Sequence, residues 1–358
     1  MIPLQDKIAR LIRQDVQSMH AYAVQDAAGM VKLDAMENPH RLSPALQAEL
    51  GRRLGAVELN RYPGARIDEL RQALARYVPL PQGCALMLGN GSDELISLIA
   101  MACDVPGASI LAPLPGFVMY AMSAQLQGLK FIGVDLTPDF ELDEAAMLAA
   151  IARHQPSIVY LAYPNNPTAN LWDDAVMDRI IEAAPGLVVI DEAYQPFSSR
   201  SYLDRLARHP HVLLMRTLSK FGLAGVRLGY MMGAKALVAE IDKVRPPYNV
   251  SVLNAEAALF ALEHADVYAT QAVDLREQRA RLLRELAALP GVSPWPSDAN
   301  MILVRVPDAH ATFEGMKRHG VLVKNVSRMH PLLAGCLRLT VGTANENTRM
   351  LTALGAAL

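Results

Sequence analysis

LVVIDEAYQPF (residues 187–197) opens with an unbroken apolar run, turns polar at Asp191 and reaches Tyr194 three residues later. A strand with one solvated face alternates in polarity, whereas an apolar run without alternation reads as a strand covered on both faces. Working outward, strand-like runs recur at CALML (84–88), SILAP (109–113), KFIGVD (130–135), SIVYLA (157–162), VLLMRT (212–217) and RLGYMM (227–232), most of them apolar without alternation. Helix-like stretches at 92–103, 116–127, 143–154 and 173–184 lie between them. This order predicts an α/β fold whose mostly parallel central sheet carries helices on both sides. After RPPY (245–248) a long helical run of about forty residues follows. MILVRV (301–306), VLVKNV (321–326) and CLRLTV (336–341) then predict a smaller α+β unit. The expected organisation is an arm at 1–35 packing on the small unit or on a partner chain, a large domain at 36–247 and a small domain at 248–358.

Composition narrows the class of function. The 358 residues are 52% hydrophobic and 20% charged, with a net charge of -2, so no basic footprint for nucleic acid stands out. Cys84, Cys103 and Cys336 are widely separated and match neither a zinc site nor a disulfide framework. The N-terminal residues mix charges into every turn, and no apolar stretch reaches the ~18 residues of a membrane span. A cytoplasmic protein acting on small molecules is expected.

Open α/β sheets bind ligands beyond the carboxyl ends of their strands. Four such ends carry polar groups. In LMLGNGSDELI (86–96) a Gly-x-Gly turn leads into Ser92 and Asp93 at a helix start, a phosphate cradle by virtue of free N–H groups and the helix dipole. Glu94 at the third glycine position argues against a dinucleotide fingerprint, and Ser92 or Asp93 could equally be an ordinary N-cap. In YLAYPNNPTANL (160–171) Asn166 sits in a proline-set turn, able to aim an amide at a ligand. Asp191 ends a buried strand and needs a cation. In TLSKFGLAGVR (217–227) Lys220 follows a strand, between Ser219 and Arg227, both natural phosphate ligands. Pyridoxal 5'-phosphate uses the whole set: a lysine for its aldehyde, an anion at its ring nitrogen, donors to its phenolic oxygen and a nest for its phosphate.

With these residues in view, the ordered series RYPGA, GNGSDELI, YPNNPT, DEAY, RTLSK, LAGVRLGY and CLRLTVGT resembles the fold-type I pyridoxal-phosphate aminotransferases, and within them the histidinol-phosphate branch. The resemblance implies exchange of an amino group between L-histidinol phosphate and 2-oxoglutarate, giving glutamate. It makes Lys220, Asp191 and Tyr194 the catalytic set. It assigns the cofactor to these three with Ser92, Asp93, Asn166, Ser219 and Arg227, with Phe117 stacking on the ring. It implies a homodimer in which Tyr62 reaches the neighbouring subunit's cofactor phosphate. Arg338 is implied to bind the substrate phosphate or the glutamate carboxylate, with Tyr22 and Lys324 as further substrate contacts; Asn300 matches a position near the cleft.

The sequence departs from the family pattern in three places. The loop between Lys220 and Arg227 is one residue short, Ala169 replaces a turn glycine, and Lys324, followed by Arg328, stands where some relatives carry arginine. A threonine-phosphate decarboxylase or an aromatic aminotransferase on the same scaffold remains an alternative, and a cofactor-sensing regulator is a more distant one.

Overall fold

The computed structural model describes residues 3–19, 21 and 25–358. After a short strand β1 (Val31–Lys32), the chain lays down β2 (Cys84–Gly89), β3 (Ser109–Leu114), β4 (Lys130–Asp135), β5 (Ile158–Ala162), β6 (Leu187–Asp191), β7 (Val212–Thr217) and β8 (Gly229–Ala234). These last seven form one sheet in the order β2-β8-β7-β6-β5-β3-β4. Only β8 opposes its neighbours; the remaining pairs are parallel.

The unalternating apolar runs now have their explanation. Val188 and Ile190 of β6 enter one hydrophobic core, while Val189 enters a second core on the opposite face of the sheet. The same division separates Val159 and Leu161 from Tyr160 on β5, and Leu214 from Leu213 and Met215 on β7. With both faces covered, neither side-chain parity can be polar. Helices Ser92–Ala102, Met119–Gln127, Glu144–His154 and Asp174–Ala183 supply the cover. Asp143 and Asp173 start the last two, their carboxylates accepting backbone N–H groups of Ala146 and of Ala175 and Val176. The helix expected from residue 116 begins at Met119, because Pro115 and Gly116 are poor helix formers.

The expected forty-residue helical run is two helices, Val252–Glu263 and Ala265–Ala287, interrupted at His264 (φ -110°, ψ 33°). The break separates different surroundings: the first helix is buried continuously from Ala255 to Ala261, whereas the second buries spaced positions such as Ala272, Leu275, Leu282 and Leu286.

At the C-terminal end β9 (Ser293–Pro294), β10 (Met301–Arg305), β12 (Lys324–Asn325) and β13 (Cys336–Thr340) form an antiparallel sheet in the order β12-β13-β10-β9. The strand expected over 321–326 is divided. β11 (Val321–Leu322) pairs in parallel with β1, and β12 then turns to β13. Residues 31–33 thereby join the C-terminal elements, with Leu33 N–H donating to the Leu322 carbonyl at 2.8 Å. Farther back, Arg13 donates to the carbonyls of Gln125 and Leu126 on the large-sheet side.

Behind the ends of β6 and β7 lies a buried ion pair. Arg216 donates twice to Glu192 Oε2, at 2.7 and 2.9 Å, and Glu192 also accepts the Tyr202 N–H and the Ser201 hydroxyl. Both charges are buried. Removing one partner leaves the other uncompensated, so Arg216→Ala is expected to lose about 3–5 kcal/mol of stability, measurable by denaturant unfolding of the cofactor-free protein.

Candidate functional site

The carboxyl ends of β5, β6 and β7 open into a cavity of about 330 Å³, lined among others by Ala162, Asp191 and Thr217, the last residue of each strand. Parallel strands place their ends on a common edge, which is how separate sequence segments converge here.

Asp191 is buried and lines the cavity. Its Oδ2 accepts the Tyr120 hydroxyl at 2.7 Å and its Oδ1 accepts the Ala193 N–H at 3.0 Å. Burial pushes its pKa up to about 6, against the opposing effect of these two donors. Sequence reading missed Tyr120. It starts no recognisable motif, and its helical spacing reads as core; the available signal was that a buried tyrosine needs a partner for its hydroxyl. Its ring stacks on Tyr160 with centroids 4.3 Å apart, which holds the hydroxyl in place.

Lys220 lies within the irregular segment Ser219–Leu223 that follows β7. Its Nζ donates to the Ala35 carbonyl at 2.9 Å and stands 6.0 Å from the Tyr194 ring centroid. Burial first, and then the positive charges of Arg338 and Arg227, lower its pKa to about 8. A neutral amine, able to attack a carbonyl or take a proton, is thus accessible near neutral pH.

Asn166, Tyr194 and Arg338 form a hydrogen-bonded row. Asn166 Nδ2 donates to the Tyr194 oxygen at 3.1 Å, and Arg338 Nη1 donates to Asn166 Oδ1 at 2.7 Å. Arg338 Nη2 reaches the Asp34 carbonyl at 2.7 Å. The Tyr194 hydroxyl is pushed well above its ordinary pKa, chiefly by burial, and so remains a donor.

The cradle is built from backbone. Gly91 at φ +87°, rather than Ser92 or Asp93, occupies the N-cap position, and no side chain caps the helix Ser92–Ala102. A Cβ at Gly91 would stand 3.0 Å from Arg227 Nη2, and one at Gly229 would stand 2.8 Å from the Ser92 nitrogen. The first-turn N–H groups are therefore left for an anion, with Arg227 and Ser219 beside them. Arg227 Nη1 lies 3.4 Å from Ser219 Oγ, and Nη2 lies 3.4 Å from Asp93 Oδ2. Arg227 itself adopts a left-handed backbone (φ +55°) at the end of this segment.

Other residues singled out from the sequence fall into three groups. Phe117 lines the cavity, and its ring meets Tyr120 edge-on. Tyr62 is outside it, 75% exposed and stacked on Tyr248 at 4.2 Å. Lys324 is also absent from the lining; it faces Arg338 across the β12–β13 register, and Arg328 is exposed. Asn300 is buried and donates to the Met36 carbonyl, tying down a segment that lines the cavity. Ala169 adopts φ +65°, the conformation for which a turn glycine is the usual choice. Tyr22 lies outside the described residues.

This arrangement fits pyridoxal phosphate. A buried acid that resists ionisation by itself is matched by a protonated ring nitrogen, the N–H cradle with Arg227 and Ser219 by a phosphate, and the lowered Lys220 amine by an aldehyde. A sequence profile described as aminotransferase class I and II matches residues 28–354. The chain belongs to this family. Among similar aminotransferases, the histidinol-phosphate aminotransferase of Polaromonas naphthalenivorans (strain CJ2) is 74% identical, over 99% of this chain and 98% of that protein. That of Methylibium petroleiphilum (strain ATCC BAA-1232 / LMG 22953 / PM1) is 73% identical over 99% and 97%. The crystal structure of histidinol-phosphate aminotransferase from Sinorhizobium meliloti in complex with pyridoxal-5'-phosphate superposes with a TM-score of 0.85 at 26% identity, covering 97% of each chain.

The raised pKa of Asp191 carries a definite sign for the cofactor-free chain. Folding favours its protonated form, so its stabilising contribution is present below the ordinary value of 3.8 and is lost as pH rises through about 6. Asp191→Asn is expected to stabilise the cofactor-free protein by on the order of 1–3 kcal/mol at pH 7.5 and by much less at pH 4.5, while weakening cofactor binding. Urea unfolding at the two pH values, with a cofactor titration, checks both effects.

Proposed function

We propose that this aminotransferase exchanges the amino group between L-histidinol phosphate and 2-oxoglutarate, in histidine biosynthesis, using pyridoxal 5'-phosphate. The observation that carries the chemistry is the pairing, in one cavity, of a lysine amine lowered to about 8 with a buried aspartate raised to about 6. The substrate rests on the high identity to histidinol-phosphate aminotransferases over nearly the whole chain.

When bound, pyridoxal phosphate supplies an aldehyde that captures the substrate amine and a ring that takes up the electrons freed at the α-carbon. In this reading Lys220 first holds the aldehyde, then carries a proton away from the α-carbon. Asp191, oriented by Tyr120, holds a proton at the ring nitrogen. Asn166 and Tyr194 donate to the phenolic oxygen, and Phe117 covers the ring. The backbone N–H groups at Ser92 and Asp93, together with Ser219 and Arg227, hold the phosphate. Arg338 receives the substrate phosphate or the glutamate carboxylate, with Lys324 and Tyr22 contributing to the same end.

The proposed working unit is a homodimer in which the exposed Tyr62 completes the neighbouring site. Within it, 36–247 is the cofactor-binding domain, 248–358 the small domain and 1–35 the arm. No helix of the described residues is long and apolar enough to cross a membrane, and we place the enzyme in the cytoplasm.

Adding L-histidinol phosphate to the yellow holoenzyme without a keto acid should bleach the cofactor band, and 2-oxoglutarate should restore it; an unchanged band would overturn the substrate assignment. Lys220→Ala should abolish both changes and nearly all turnover, because the aldehyde-holding amine and the proton carrier are lost together. Arg338→Ala should weaken histidinol phosphate and glutamate alike, by about 2–4 kcal/mol in kcat/KM, the cost of removing one member of a buried charged contact. Steady-state kinetics with each substrate measures it.

A further inference from the structure

The cavity carries one carboxylate that the chemistry above leaves unused. Its charged lining is Glu37, Asp93, Asp191, Lys220 and Arg227. Asp191 is engaged by Tyr120 and Ala193, and Asp93 faces Arg227 at the phosphate cradle. Glu37 sits on a different element, the segment 34–38, which is held on both sides of it. Met36, at φ +52°, donates its N–H to Thr340 Oγ1 and accepts from Asn300, and Asn38 donates to Gln271 Oε1 at 2.9 Å. Glu37 is thus carried on a fixed backbone, next to the apolar wall made by Ala35 and Met36.

Glu37 retains capacity for a ligand. Its one hydrogen-bonded partner among the described residues is the Lys32 ammonium at 2.5 Å, in a pair whose side chains are 35% and 45% exposed. Such a pair holds weakly, and a carboxylate accepts about four hydrogen bonds. Its negative charge also opposes a phosphate placed against it.

We propose that Glu37 is a specificity-determining residue whose carboxylate accepts the ring N–H of the amino donor, selecting an imidazole tail over a phenyl or alkyl one. The inference rests on the function proposed above. Imidazole presents an N–H in both protonation states and becomes cationic near neutral pH. A phenyl ring offers no donor and leaves the carboxylate facing an apolar edge. Arg338, held to the same segment through the Asp34 carbonyl, is the cation available to the phosphate of such a substrate.

The test compares wild-type, Glu37→Gln and Glu37→Asp holoenzymes in two assays. In kinetics, Glu37→Gln should raise KM for histidinol phosphate by about 10- to 100-fold, the scale of one charge-assisted hydrogen bond, with a smaller change in kcat. Its effect on glutamate should be at least about tenfold smaller, and Glu37→Asp should recover part of the loss. In calorimetry, imidazolylpropyl phosphate should bind wild-type holoenzyme more tightly than phenylpropyl phosphate, and Glu37→Gln should erase that preference. Equal losses for both substrates, no loss, or a preference surviving in Glu37→Gln would overturn the role of Glu37. Should wild-type enzyme fail to use histidinol phosphate, the proposed function falls, and the two amine-free ligands still decide whether Glu37 reads the ring.

Discussion

Asp191 is a carboxylate at the end of a strand whose other residues are packed into hydrophobic cores on both faces of the sheet. Ionised, it has lost its water and gained only the Tyr120 hydroxyl and the Ala193 N–H, which do not repay the desolvation. The same burial works in the opposite sense on Lys220, where it drives the ammonium toward the neutral amine. Each group is therefore poorly matched to its surroundings until something cationic approaches the acid and something electrophilic approaches the amine. The stacked pair of Tyr120 and Tyr160, the orphan N–H groups after Gly91, and the row from Arg338 through Asn166 to Tyr194 are arranged around that mismatch.

The arrangement uses both sheets. The large sheet supplies Asp191 and leads into Lys220, and β13 supplies Arg338. Between them runs the segment after β1, whose carbonyls at Asp34 and Ala35 receive Arg338 and Lys220. Because β1 pairs with β11, and Met36 is held by Thr340 and Asn300, the position of this segment depends on the C-terminal elements. A change in the C-terminal sheet is thus transmitted to the lysine amine through short, identified contacts.

Much of this was legible from residue order. Both-face burial forces strands to be apolar at every position, so β5, β6 and β7 announced themselves, as did the helix starts at Asp143 and Asp173. Periodicity could not separate Val252–Glu263 from Ala265–Ala287, since both are helical and the break at His264 introduces no proline or glycine. Nor could it divide 321–326, because adjacent extended residues look alike whichever sheet they join. Tyr120 and Glu37 escaped for a related reason. Each is an unremarkable residue in its own segment, and its importance arises from what stands against it in space.

The sequence by itself determined the strand and helix alternation, the lysine, aspartate, asparagine and tyrosine at strand ends, and the resemblance to aminotransferases, because these depend on local patterns and on residue types that a reaction requires. Only the tertiary structure decided that Tyr120 serves Asp191, that Arg338 binds Asn166, that Gly91 leaves the cradle uncapped, and that Glu37 shares the cavity with Lys220. Hydrogen bonds and desolvation act over a few ångströms through space, and residues joined here, such as Asp34 and Arg338, lie as far as 304 positions apart along the chain.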